Sequence, residues 1–153
     1  MLTYRVPQRR VQVVVYLTQG EPLVGKLFVP AEGPGGRPVR LSERLAAPDD
    51  RFLALVQEDG SRLIAREMIL RVELLTAEDA AIEHEPGEGA PSLATCRMAD
   101  GSVLEGTISF AMPPGRERLI DYFNSQPDAF VPFHTGRTLS LIHLRQVVDW
   151  AMR

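Results

Sequence analysis

Apolar residues recur at every second position in several short stretches of the chain. Val11, Val13, Val15 and Leu17 form one such stretch, and Ala94, Cys96 and Met98 form another. A period of two places successive side chains on opposite faces, so each stretch predicts a strand with one apolar face. Leu23, Gly25, Leu27 and Val29 continue the pattern, as do Leu104, Gly106, Ile108 and Phe110. Gln19-Gly20 and Asp100-Gly101 stand between the first and second strands of the two series. A polar residue followed by glycine suits a tight hairpin that requires a positive φ, so each series opens with a β-hairpin. Gly25 and Gly106 fall inside strands, where glycine marks a sharp bend or a close approach of another backbone. The segments LSERLAAPDD and LIDYFNSQPD each predict one or two helical turns, closed by Pro48 and Pro127. FLALVQE, RLIAR and ILRVEL then predict three more strands, as do FVPFHT, SLIHL and VVDWAM. Pro132 lacks an N–H, so its strand is expected at an edge or a bulge.

The two series are one pattern written twice. An offset of 81 residues matches Gly20, Leu23 and Gly25 with Gly101, Leu104 and Gly106. An offset of 78 matches Arg40, Leu41, Asp50, Phe52, Leu63 and Ile64 with Arg118, Leu119, Asp128, Phe130, Leu141 and Ile142. The offset changes in the loop AEGPGGRP, where added residues cost little closure entropy. The expected organisation is therefore a first five-stranded unit over 1–75, a linker over 76–91, and a second five-stranded unit over 92–153. Thr76 and Asp79 have the spacing of a capping box, so the linker opens with a short helix before the flexible EPGEGAPS.

Composition narrows the classes. The chain has 153 residues, 44% hydrophobic and 24% charged, which is the globular range. No run of 18 apolar residues predicts a membrane span, and the opening residues lack the apolar run of a signal peptide. The single cysteine, Cys96, makes no internal disulfide and reads as a core residue, which fits the cytoplasm. A net charge of −3 argues against a surface that is basic all over.

With its VxVxLxxG opening, a second strand with an internal glycine, a following acidic residue and closing strands, each copy resembles the Sm-like family, a small SH3-like barrel. DGSVLEGTISF followed by DYFN carries the likeness best, and the Arg118–Asp121 and Arg40–Glu43 segments also resemble small bacterial domains of this type. The resemblance implies a mainly β fold of two repeated barrels; the family carries its helix before the first strand, whereas the residues here place a short helix after the second strand of each copy. It also implies ring assembly and RNA as a partner.

Candidate binding residues are Arg40, Glu43, Arg118, Asp121, Tyr122 and Asn124. Asp121 and Asn124 can read a base edge while Tyr122 stacks on its face. Alternatively, they cap local backbone while Phe123 packs inward. Arg40 and Arg118 either pair with Glu43 and Asp121 across three positions or meet a partner. His134 and His143 align with Val56 and Ala65, so the repeat offers no shared histidine chemistry. His84 with Glu83 and Glu85 is too local a set to hold a metal without further ligands. Arg5 and Arg9 have the spacing of half a cyclic-dinucleotide motif, but the residues that would complete it are missing. No cofactor, metal or catalytic group is expected. The reading is a non-enzymatic binding module, adaptor or assembly factor that takes a protein partner or a copy of itself; the alternative is a ring of duplicated chains binding RNA.

Overall fold

The alternating valines of the first strand decide where the core lies. In the computed structural model, which describes residues 7–83, 91–109, 119–126 and 128–152, Val11, Val13 and Val15 are fully buried while Gln12 is exposed. They belong to β1 (Gln8–Leu17), which turns through Gly20, at a φ of 84°, into β2 (Leu23–Pro30). Next come α1 (Leu41–Ala46), β3 (Phe52–Gln57), β4 (Gly60–Ala65), a 3-10 turn and β5 (Ile69–Leu74). The second half follows α2 (Ala77–Ile82) with β6 (Ser92–Met98), β7 (Val103–Ile108), α3 (Leu119–Ser125), β8 (Phe130–Thr135), β9 (Thr138–His143), a 3-10 turn and β10 (Val147–Met152). The hairpin at Gly101, φ 90°, stands where that at Gly20 stands in the first half.

Among the described residues the strands expected from the alternation are present and the fold is mainly β with three short helices; Phe110, expected in the strand after Gly101, lies outside them. The expectation of two separate five-stranded barrels needs correction. All ten strands form a single antiparallel sheet in the order β10-β6-β7-β8-β9-β5-β1-β2-β3-β4, and it is not a closed barrel. The sheet is continuous because β5 of the first half pairs with β9 of the second, Arg71 opposite Ile142 through Leu74 opposite Leu139. An unpaired strand edge leaves backbone donors and acceptors without partners, and here the edge of each half satisfies the other.

Within each half the order of strands is the same, and so are the irregularities. The β1·β5 ladder slips at Leu70, and the β6·β10 ladder slips at Val148, 78 residues on. A Cβ added to Gly25 would lie 2.7 Å from the Val56 carbonyl oxygen, and one added to Gly106 would meet the carbonyl oxygen of His134, again 78 residues on. Both glycines are required because the third strand crosses directly over the second, leaving no room for a side chain. Pro132 lies in β8 opposite Leu141 of β9, but β7 pairs with β8 only at His134 and Phe133. Its missing N–H therefore falls where β8 has run past its other neighbour.

The two cores interlock across the junction. Phe130, Leu139 and Leu141 of the second half are buried in the core built on Val11, Val13 and Leu45. In return, Leu70 of the first half is buried with Cys96, Met98, Phe133 and Ile142. Cys96 is a core residue as its position in the alternation implied, and burial first, with Asp149 second, pushes its thiol pKa up to about 12. No helix among the described residues is long and apolar enough to cross a membrane.

Candidate functional site

α1 is six residues long and its own sequence does not satisfy its first N–H groups, since Arg40 at the N-cap makes no side-chain cap bond. A carboxylate from elsewhere does so. Glu83, at the C-cap of α2 and almost completely buried, accepts from the N–H of Leu41 at 2.8 Å and of Ser42 at 3.0 Å. α2 is fixed in turn by Thr76, whose hydroxyl accepts from Asp79 N–H, and by an Arg9–Asp79 ion pair of 2.6 Å. Arg9 also donates to the Val39 carbonyl just ahead of α1. The start of the expected linker is thus a clamp on α1. Replacing Glu83 by alanine is expected to lower stability by about 1–2 kcal/mol, as the loss of a helix cap does, read from the midpoint of urea unfolding. A loss of under about 0.3 kcal/mol would contradict the clamp.

So held, α1 buries Leu41 and Leu45 inward and lies against β8 of the other half. Between α1 and the second half runs a cleft of about 210 Å³ whose lining includes Arg40, Glu43, Tyr122, Gln126 and Phe130. Three candidates, the neighbouring Arg40 and Glu43 and the distant Tyr122, therefore meet in one place. Asp121 and Asn124 do not line it. Asn124 is exposed and Asp121 half-buried on α3, and Phe123 stacks on Trp150 at 4.8 Å between ring centroids. The inward-packing alternative describes Phe123. Arg118 lies outside the described residues, as do Arg5, His84 and Glu85. The cleft is smaller than the roughly 300–1,000 Å³ that small-molecule sites occupy.

The buried polar side chains are spent on the fold. Among the described residues these are, besides Asp79 and Glu83, Ser140 and His143. Arg71 donates to Ser140 Oγ at 3.0 Å across the central junction. His143 Nδ1 stands 2.9 Å from the Ile69 carbonyl oxygen, also across the junction. A carbonyl only accepts, so Nδ1 carries the proton, and the ring stacks on Phe130 at 4.2 Å. Burial holds the His143 pKa below its ordinary value, against the weaker opposing pull of the Ile69 bond. The folded state therefore binds a proton less readily than the unfolded chain. The stability due to neutral His143 is whole above the ordinary value near 6.5 and is lost as pH falls through the depressed one. Urea midpoints from pH 7.5 down to 5.5 should fall more steeply for the wild type than for His143→Asn; equal slopes would contradict this.

The second feature is the pair of strands that end the sheet. Among the described residues β4 pairs only with β3, and β10 only with β6. Large apolar side chains stand exposed on or beside both: Leu63 and Phe52 at one end, Val148 and Met152 at the other. Sequence alternation did not single these residues out, because it reads faces of a strand and not which strands lack a neighbour. Among the described residues no group of three or more His, Cys, Asp or Glu side chains is placed to hold a metal ion. No protein-family model, curated protein or solved structure matches the chain.

Proposed function

We propose that this protein is a non-enzymatic binding module, an adaptor or assembly factor, that takes a partner polypeptide on the open edges of its sheet. The observation that carries the reading is the exposed apolar row at both ends of the sheet, Leu63 and Phe52 against Val148 and Met152. An open edge offers backbone donors and acceptors to an incoming strand, and the apolar side chains beside it supply affinity when covered. The buried carboxylates and His143, each engaged in a structural hydrogen bond, support a binding rather than a catalytic role. We read the two halves as copies of one five-stranded Sm-like, SH3-like unit, supported by the strand order, bulge and glycine contact they share. A cytoplasmic setting accords with a lone, buried thiol.

Photo-cross-linking in the native cell tests the reading. With a photoreactive amino acid in place of Leu63 or of Val148, polypeptide adducts are expected, and with the same group at exposed Gln19 they are not. Nucleic-acid adducts at 63 and 148, or no adducts there, would overturn it.

A further inference from the structure

Burying a carboxylate is costly unless hydrogen bonds and an opposite charge offset the lost water. Glu83 is 1% exposed and accepts from the backbone N–H groups of Leu41 and Ser42. Both donors are neutral, and among the described residues no lysine, arginine or histidine forms an ion pair with it. Asp79 makes the contrast, because it is buried on α2 as well and meets Arg9 at 2.6 Å. A carboxylate has about four acceptor positions. Glu83 therefore keeps roughly half of its accepting capacity, and all of its demand for a cation, unmet.

Glu83 lines the cleft of about 210 Å³ between α1 and the second half, and exposed Glu43 lines it too. Arg40 also lines it but is engaged in an interaction of its own. The second half contributes Tyr122, Phe130 and Pro132, a wall largely of carbon. An anion entering here would meet two like charges. A metal ion would find too few ligands, since no group of three or more acidic, cysteine or histidine side chains is assembled among the described residues. The volume lies below that of ordinary small-molecule sites, and it suits one long side chain. Such a side chain would lay its apolar stem along the carbon wall and bring a charged head to the carboxylates.

We propose that this cleft is a receptor for one arginine side chain of the partner polypeptide. This rests on the binding-module reading and names the chemistry its partner must present. Arginine suits the site better than lysine for three physical reasons. Its guanidinium carries five N–H donors for the two carboxylates, it surrenders its water more readily than an ammonium on entering a narrow cleft, and its plane stacks on an aromatic ring such as that of Tyr122. Bonds between a guanidinium and a carboxylate are also among the strongest hydrogen bonds, so a single anchor of this kind selects among polypeptides that offer similar strands to the sheet. The receptor depends on both halves: α1 and Glu83 bring the charge, and the second half brings the wall on which the stem lies.

NMR titration of the full chain with N-acetyl-arginine amide tests this. The backbone amides of Ser42 and Ser109, one on each side of the cleft, should shift saturably, with a Kd on the order of 1 mM, ordinary for a ligand of that size. N-acetyl-norleucine amide, neutral and with an aliphatic side chain, should bind about tenfold more weakly or not at all, because it lacks the charge-assisted bonds. Glu43→Gln, at an exposed position, should weaken the arginine probe severalfold. Glu83→Gln keeps an amide oxygen for the α1 N–H groups and removes the charge, and it should abolish the shifts. Should Glu83→Gln fail to fold, Glu43→Gln decides. Equal responses to the two probes would overturn the inference, and so would arginine binding that Glu43→Gln leaves unchanged. Absence of arginine binding in a wild type that still cross-links to a polypeptide at position 63 would overturn the receptor and leave the binding-module reading standing.

Discussion

Phe133→Ala should cost about 3–5 kcal/mol, the range for removing a fully buried phenylalanine ring. Phe133 has no exposed surface, lies at the centre of the second core with Cys96, Met98, Ile108 and Ile142, and meets Trp150 edge-on at 5.6 Å. The cavity cannot collapse easily, because β8 is fixed through β9 to β5 of the other half. For a domain of this size such a loss is a large share of total stability, so the variant should show a much lower urea midpoint. A loss below about 1 kcal/mol would mean that the ring is not packed as described.

Gly106→Val should follow, at about 2–3 kcal/mol, as overpacking against atoms that have little room to yield. The added Cβ would clash with the His134 carbonyl oxygen and press on Phe133. That oxygen belongs to the short stretch where β7 and β8 pair, Thr107 with His134 and Ile108 with Phe133, so relief requires breaking the ladder. Gly25→Val is the internal comparison. Its Cβ would meet the Val56 oxygen at 2.7 Å and otherwise the side chain of Leu55, which can rotate. The first-half variant should be the milder of the two in the same urea titration, and the reverse order would contradict the tighter crossing at Gly106.

The strand glycines and the buried faces around them are legible in the amino-acid sequence because their signals are local. Period-two apolar spacing identifies Val11, Val13 and Val15 as one buried face, and a polar residue before Gly20 or Gly101 marks a turn with positive φ. Thr76 three residues ahead of Asp79 announces α2 in the same way. Of the candidate site, only the aromatic and charged character of Arg40, Glu43 and Tyr122 is visible in the sequence. Their meeting in one cleft depends on α1 reaching β8 of the other half, which no spacing along the chain encodes.

The amino-acid sequence by itself determined the ten strands, their hairpins, the short helices and the matching of one half to the other, because each depends on side-chain period, backbone freedom or capping over a few neighbouring residues. Only the tertiary structure decided that the halves fuse into one open sheet through β5 and β9, that Glu83 caps α1, that His143 is neutral at the junction, and that Leu63 and Val148 are left uncovered. Those outcomes depend on which strand lies beside which. Strand alternation is the same for a paired edge and an open one, so the choice is made by register and burial between residues some seventy positions apart.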